Sequence, residues 1–177
     1  GKKVILYSGK YISKKRPLDL LKAFKQIAGK TEAMLVMVGE GECRPVMETY
    51  ICENRLEDKV VLTGFINQSL IPMYYRAADI FVMCSGLGET WGLSVNEAMN
   101  FGLPVIVSDT CGSAYDLVEN GKNGAVFQTG NIDQLAALLS EYLEKNDAEL
   151  ISISNASFHK IDLYSYDQVI QAIESIT

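Results

Sequence analysis

Short apolar runs alternate with helical patterns along the whole of this 177-residue sequence. The runs at residues 4–8 and 33–38 are each followed by a glycine and then by residues with helical spacing. Further runs of this kind occur at 60–63, 79–84, 105–107 and 125–127. Continuous apolar runs of this length are typical of strands buried on both faces, and strands that alternate with helices form parallel sheets with right-handed crossovers. The sequence therefore predicts an α/β fold with a parallel sheet flanked by helices on both faces.

The helical segments are predicted from apolar spacing and from their end signals. Pro17 suits the first turn of a helix, and the apolar residues that follow it recur at helical spacing to position 27. Other helices are predicted at about 42–54, 69–77, 114–119, 131–145, 148–159 and 165–176. The segment at 131–145 is the most periodic, because Ile132, Leu135, Leu138, Leu139 and Tyr142 fall on one face.

Residues 85–108 join a glycine-bearing loop, a helix and a strand. The helix is predicted to begin near Leu93 or Ser94 and to end near Gly102, since glycine favours the position after a helix C-terminus. The loop follows the apolar run 79–84, so the helix N-terminus is expected at the carboxyl end of a strand. The free N–H groups and positive dipole end of a helix bind anions. This stretch therefore predicts a site for a phosphate or another anionic group.

Two carboxylates, Glu89 and Glu97, lie eight residues apart around the predicted helix start. One interpretation is that both accept hydrogen bonds from the hydroxyls of a phosphorylated, polyhydroxylated ligand. The alternative for Glu97 is a capping box with Ser94, in which the glutamate side chain accepts a hydrogen bond from an N-cap N–H. The alternative for Glu89 is an ordinary solvated loop residue. The spacing alone leaves both interpretations open.

The same stretch resembles the Glu-x7-Glu motif of retaining glycosyltransferases of the GT-B fold, family 4 type. The similarity includes Ala-Asp-Ile-Phe-Val-Met-Cys-Ser before the motif and Glu-Ala-Met-Asn-Phe-Gly-Leu-Pro-Val-Ile-Val-Ser at its end. The resemblance implies that residues 1–177 form one Rossmann-like, nucleotide-sugar-binding domain, the C-terminal half of a GT-B fold. The N-terminal acceptor domain of such an enzyme would then lie outside this chain.

A basic loop follows the first apolar run. In the resembled family a glycine, an arginine and a lysine six residues after the glycine bind the donor diphosphate, and the matching residues are Gly9, Lys10 and Lys15. Lys10 keeps the charge of the usual arginine but loses its two-pronged hydrogen bonding. Arg16 and Ser113 stand where the family often has glycine. The alternative is that these cations form a solvated basic loop.

The resemblance also implies contacts with the rest of the donor. Gly39 would lie beside the donor, and Phe65 and the backbone of Ile66 would face the nucleotide base, although both side chains could instead fill the edge of the core. Glu97 would hold the ribose, and Glu89, as the catalytic residue, would bind the transferred sugar. The remaining substrate-binding positions implied for the diphosphate are Thr90, Trp91, Gly92 and Leu93.

Charge and composition exclude several classes of partner and site. The net charge of −6 argues against nucleic acid or an anionic membrane as the main partner. No apolar run approaches the ~18 residues that a membrane span needs. His159 is the only histidine and no Asp-x-Asp motif occurs, so we expect no metal site. The resemblance implies no cofactor beyond the nucleoside-diphosphate sugar as co-substrate. The four irregularly spaced cysteines are expected to be reduced thiols.

The resemblance implies a retaining, metal-independent enzyme of the hexosyltransferase type. It would move a sugar from a nucleoside diphosphate to a glycan or lipid-linked acceptor in the cytoplasm, with any contact to the inner membrane made through the N-terminal domain. This chain alone is expected to be inactive. One alternative is a non-catalytic nucleotide- or nucleotide-sugar-binding module. The other is an NAD(P)-binding oxidoreductase domain, which is disfavoured because Arg44 occupies the third glycine position of G-x-G-x-x-G counted from Gly39.

Overall fold

The computed structural model of the chain describes residues 2–175, with the side chains at 166, 169 and 172 outside that description. Its strands form one parallel sheet of six in the order β3-β2-β1-β4-β5-β6. The strands are β1 (Val4–Ser8), β2 (Met34–Val38), β3 (Val60–Leu62), β4 (Ile80–Met83), β5 (Val105–Ser108) and β6 (Gly124–Phe127). The predicted α/β class and the parallel sheet are therefore confirmed, and each predicted run overlaps a strand, with the ends differing by at most one residue.

The helices follow the strands in chain order. They are α1 (Pro17–Ile27), α2 (Arg44–Glu53), α3 (Ile71–Ala77), α4 (Leu93–Asn100), α5 (Ala114–Leu117), α6 (Ile132–Glu144), α7 (Asp147–Asp162) and α8 (Tyr166–Glu174). Helix α3 begins two residues later than predicted, because Asn67 accepts hydrogen bonds from Ser69 and holds a turn ahead of the helix. Helix α7 begins one residue earlier and ends three residues later than predicted. Residue 176, the end of the last predicted helix, lies outside the described residues.

Side chains of each strand alternate between two core layers. Ile5 and Tyr7 point into a layer shared with α1, α2 and α6, whereas Leu6 between them points into a layer shared with α3, α4 and α5. The sheet is therefore covered on both faces, as continuous apolar strands require. The apolar face predicted for the segment 131–145 is used in this way, since α6 packs against α1.

The strand order places the two central strands, β1 and β4, side by side. From β1 the chain proceeds outward through β2 and β3, and from β4 it proceeds in the opposite direction through β5 and β6. The loops that leave the carboxyl ends of β1 and β4 therefore diverge and open a crevice, which is where open α/β sheets bind ligands. Between residues 2 and 175 no helix is long and apolar enough to cross a membrane.

Candidate functional site

The crevice between β1 and β4 is bounded by the loops 9–16 and 85–92. The two loops touch directly, because the N–H of Gly86 donates to the carbonyl of Lys14 over 2.7 Å. A 3-10 turn over Ser13–Lys15 shapes the first loop. The second loop is anchored from below by Ser108 of β5, whose hydroxyl donates to the carbonyl of Ser85 over 2.6 Å. The basic loop and the glycine-bearing loop are thus two walls of one site.

Lys15 and Glu89 form an ion pair across this crevice, between the ammonium Nζ and the carboxylate Oε2. Both side chains are largely buried, with 18% of Lys15 and 12% of Glu89 exposed. The hydroxyl of Ser85 lies 3.4 Å from the same carboxylate oxygen. The interpretation of Glu89 as a solvated loop residue is therefore wrong. Lys10 is exposed and has no ion pair within residues 2–175.

Arg16 occupies the position where glycine is common in the resembled family, and the backbone explains both choices. Its φ of 47° lies in the left-handed region, which costs a residue with a Cβ roughly 1–2 kcal/mol. Its guanidinium pairs with the buried carboxylate of Asp19. Its Nη2 also reaches within 3.0 Å of where a Cβ on Gly130 would stand. Arg16 therefore offsets the backbone strain with an ion pair that a glycine could not make.

Gly39 brings the loops after β1 and β2 into backbone contact. Its φ is 144°, and a Cβ there would lie 1.9 Å from the carbonyl oxygen of Gly9. Its N–H donates to the carbonyl of Gly64, just before Phe65. Phe65 is 81% exposed, so the interpretation that it fills the core edge is wrong. The side chain of Ile66, in contrast, is partly buried against the second core layer.

Helix α4 begins at Leu93 with Gly92 as its N-cap, and no side chain caps it. The helix starts two residues earlier than a cap at Ser94 would require, so the capping-box interpretation of Glu97 is wrong. The carboxylate of Glu97 instead accepts a hydrogen bond from the hydroxyl of Tyr75, with 2.7 Å between Oη and Oε2. Burial raises the pKa of Tyr75, and the Glu97 carboxylate raises it further, so the phenol stays protonated as the donor.

The loop that carries the motif is held by backbone contacts to residues 111–113. The N–H groups of Gly112 and Ser113 donate to the carbonyls of Glu89 and Trp91 over 3.1 and 3.0 Å. A Cβ on Gly112 would lie 1.9 Å from the carbonyl oxygen of Thr90, so only glycine allows this close approach. Ser113, the second departure from the family, keeps this backbone contact, since it is made through its N–H. The position of the loop is therefore fixed by backbone geometry.

Side chains on the open side of this loop are available to a ligand or to another domain. Thr90 is exposed and Leu93 is 71% exposed at the start of α4. The indole N–H of Trp91 donates to the side-chain carbonyl of Asn96 over 2.7 Å. The Trp91 ring also contacts Tyr164, with 5.9 Å between the ring centroids. Trp91 is thus fixed in orientation beside the proposed anion site.

The structure brings most of the predicted site residues to one edge of the sheet. Those at the β1–β4 crevice and along α4 are Gly9, Lys15, Glu89, Thr90, Trp91, Gly92, Leu93 and Glu97, with Gly39, Phe65 and Ile66 on the neighbouring loops. Lys10 is on the same loop but faces solvent. Their roles in ligand binding stay predictions. Across residues 2–175 no three His, Cys, Asp or Glu side chains are grouped as metal ligands.

Two residues at this site were missed from the sequence, Ser85 and Tyr75. Ser85 begins the glycine-bearing loop and could have been noted from that place alone. Tyr75 lies four residues after Ile71 at helical spacing, which indicates burial but not a polar partner. A buried tyrosine hydroxyl usually finds a hydrogen-bond partner, and the sequence could not identify which one.

Comparison with known proteins identifies the family to which this sequence is similar. The family model described as "Glycosyl transferases group 1" matches residues 1–157. An uncharacterized glycosyltransferase of Methanocaldococcus jannaschii is 29% identical over 167 residues, which cover 94% of this chain and 42% of that protein. The chain spans about two fifths of the length of the first curated relatives it matches.

Solved structures share the fold at low sequence identity. The Anabaena protein HepE, solved in complex with UDP and glucose, superimposes with a TM-score of 0.84 at 22% identity, over 98% of this chain and 48% of that one. The C-terminal domain of a glycosyl transferase group 1 family protein (LpcC) from Francisella tularensis gives a TM-score of 0.84 at 24% identity, over 94% of this chain and 88% of that one. The sheet and its helices match the C-terminal, Rossmann-like domains of GT-B glycosyltransferases. With a family model that covers most of its length, the chain belongs to the glycosyl transferases group 1 family.

Proposed function

We propose that this chain is the donor-binding C-terminal domain of a retaining, metal-independent glycosyltransferase of the family 4 type. The parent enzyme would transfer a hexose from a nucleoside diphosphate to a glycan or lipid-linked acceptor. The single observation that carries the proposal is the Lys15–Glu89 ion pair beside the N-terminus of α4. A cation, a carboxylate and a helix N-terminus at one crevice match the diphosphate and the hydroxyls of a nucleotide sugar.

The proposed chemistry follows from the charges that develop in the reaction. Breaking the bond between the sugar and the diphosphate places negative charge on the leaving group. Preorganised cations and N–H groups stabilise such charge. Lys15 and the first N–H groups of α4 would supply this stabilisation, and Lys10 would add a second, solvated cation.

The ion pair seen in the free chain would be exchanged when the donor binds. The diphosphate would pair with the ammonium of Lys15, and the hydroxyls of the transferred sugar would donate hydrogen bonds to the carboxylate of Glu89. Glu97, one helical turn beyond Leu93, would accept hydrogen bonds from the ribose. The base would lie against Phe65, whose ring is otherwise exposed.

The acceptor site and the complete catalytic centre would need the N-terminal domain of the same polypeptide. The relatives are more than twice as long as the part that this chain matches. We therefore expect donor binding without turnover from the 177-residue chain. The cytoplasmic location and any membrane contact through the other domain belong to the same proposal.

An NAD(P)-binding domain is the alternative that the fold alone allows, since dinucleotide-binding domains share the strand order found here. Arg44 in place of the third glycine and the family match favour the glycosyltransferase. A non-catalytic nucleotide-binding module is compatible with the same site. Binding and turnover experiments separate these alternatives.

The test is a titration of the chain with UDP, UDP-glucose, GDP, ADP and NAD(P), followed by the fluorescence of Trp91, the only tryptophan, and by calorimetry. UDP is the first candidate because HepE was solved with it. We expect one nucleoside diphosphate to bind, and Lys15→Met to weaken its binding at least tenfold, because a charge-assisted contact contributes about 1.5–3 kcal/mol. Binding of NAD(P) alone would overturn the proposal.

The matched control is Lys122→Met. Lys122 precedes β6 at the opposite, amino edge of the sheet, and 72% of its side chain is exposed. The same substitution there removes one positive charge without touching the crevice, so the affinity should stay within twofold of the unchanged chain. Equal losses from both variants would mean that net charge and not a defined site attracts the ligand. Turnover by the full-length protein would then separate an enzyme from a binding module.

A further inference from the structure

Tyr75 is a buried residue with a polar contact that packing alone does not require. It lies in α3, 1% exposed, between Phe81 and Phe101. Its ring stacks on Phe101 with 5.4 Å between centroids and an interplanar angle of 13°. A phenylalanine could fill this space equally well, so the hydroxyl needs a separate explanation.

The hydroxyl is directed at the carboxylate of Glu97. The distance of 2.7 Å between Oη and Oε2 is that of a short hydrogen bond to an ionised acceptor. Because the ring is held by two aromatic neighbours, the direction of this hydrogen bond is fixed. Glu97 itself is exposed, and water could solvate its carboxylate without any protein partner.

The second carboxylate oxygen of Glu97 remains available to a ligand. Within residues 2–175 its Oε1 has no hydrogen bond or ion pair. Glu97 lies four residues after Leu93, so it stands on the same face of α4, about 6 Å along the helix from the proposed phosphate-binding end. Because the Tyr75 hydroxyl holds Oε2 of Glu97 rigidly, the position of Oε1 is also defined.

We infer that Tyr75 is a positioning residue for donor binding, which holds the Glu97 carboxylate so that Oε1 accepts hydrogen bonds from the ribose diol of a nucleoside diphosphate. This inference rests on the proposed function, and goes beyond it by naming the group that sets the geometry of Glu97. The cost of ordering an exposed glutamate side chain is met in the free chain, before the ligand arrives. The raised pKa of the phenol keeps it a donor throughout the physiological range.

The test is Tyr75→Phe, measured with two ligands on the 177-residue chain. UDP carries the ribose diol, and 2′,3′-dideoxy-UDP lacks it. We expect Tyr75→Phe to weaken UDP about five- to tenfold, the change that corresponds to one hydrogen bond of about 1–1.4 kcal/mol. The affinity for the dideoxy ligand should stay within twofold, because the phosphate and base contacts do not pass through Tyr75.

Two further variants separate positioning from a general structural role. Tyr142→Phe removes a hydroxyl from another buried tyrosine, on α6 in the other core layer, and should leave both affinities unchanged. Glu97→Asp keeps the charge on an exposed side chain but shortens it by one methylene, so it cannot contact both the phenol and the ribose. It should lose UDP affinity as Tyr75→Phe does, and it gives an answer even if Tyr75→Phe folds poorly.

The outcomes distinguish failure of the Tyr75 inference from failure of the proposed function. If Tyr75→Phe weakens both ligands equally, or neither, while the unchanged chain prefers UDP to its dideoxy analogue, the positioning role is overturned and the proposed function stands. If the unchanged chain binds both ligands equally, Glu97 does not contact the ribose and the inference fails. If it binds no nucleoside diphosphate, the proposed function fails as well.

Discussion

The Lys15–Glu89 ion pair should contribute measurably to stability as well as to ligand binding. Exposed ion pairs contribute about 0.2–1 kcal/mol, whereas breaking a fully buried pair costs about 3–5 kcal/mol. With 18% and 12% of the side chains exposed, this pair lies between those limits. Lys15→Met leaves the Glu89 carboxylate without its cation and should lower the free energy of unfolding by about 2 kcal/mol.

The assay is a double-mutant cycle by urea unfolding of the unchanged chain, Lys15→Met, Glu89→Gln and the double variant. Replacing both partners leaves no unpaired charge. The double variant should therefore lose less free energy of unfolding than the sum of the losses in the two single variants. We expect a coupling energy of about 1–2 kcal/mol. A loss of about 2 kcal/mol in the single variant corresponds to a fall in Tm of roughly 4–8 °C for a chain of this size.

The control cycle uses the surface pair Lys122–Glu119, whose side chains are 72% and 43% exposed. Its coupling energy should be below about 0.5 kcal/mol, as for ordinary exposed pairs. A coupling energy at Lys15 and Glu89 no larger than this control would refute the reasoning. It would mean that the two groups are solvated separately in solution, and the observation that carries the proposed function would lose its support.

Three further substitutions test other parts of the structure. Arg55→Gly should raise stability by about 0.5–1 kcal/mol in urea unfolding, because Arg55 is exposed with a φ of 54° after α2 and glycine relieves that strain; unchanged or lower stability would contradict this. Gly112→Ala should lower stability by about 2 kcal/mol or more and alter the Trp91 fluorescence, because its Cβ would meet the backbone of Thr90; a normal spectrum and Tm would show that the loop has room. Phe65→Ser should leave Tm within about 1 °C, since the ring is 81% exposed, but weaken nucleotide binding in the calorimeter; equal affinity would remove Phe65 from the base site.

Much of the fold could be predicted from local pattern. The strand β1 was predicted to the residue, and α1 was predicted from Pro17 and the spacing after it. Both patterns are local, since burial on both faces produces an apolar run and a helix start is set by residues within one turn. Boundaries failed where a side chain makes a turn ahead of a helix, as Asn67 does before α3. Such a turn competes with the first helical turn and carries no periodic signal.

The functional stretch was also recognisable from sequence, because Glu89, Glu97 and the residues between them are close along the chain. The local rule that was wrong is the capping box at Ser94. It has the right residue types and spacing, but the helix starts at Leu93 with Gly92 as its N-cap. The capping-box rule takes Ser94 as the N-cap for granted. In the folded protein the backbone contact with residues 111–113 decides where the loop ends.

What the sequence by itself determined is the order of strands and helices and the residue types gathered at their ends. Only the tertiary structure decided which side chains are in contact: Lys15 pairs with Glu89 across two loops, and Tyr75 hydrogen-bonds to Glu97 between two helices. Tyr75 and Glu97 meet because α3 and α4 pack on the same face of the sheet. Lys15 and Glu89 lie far apart in the chain and meet because β4 pairs with β1 in the sheet. The pairing of β4 with β1 depends on the whole fold, because both faces of the sheet must be buried at once. No local sequence pattern predicts it.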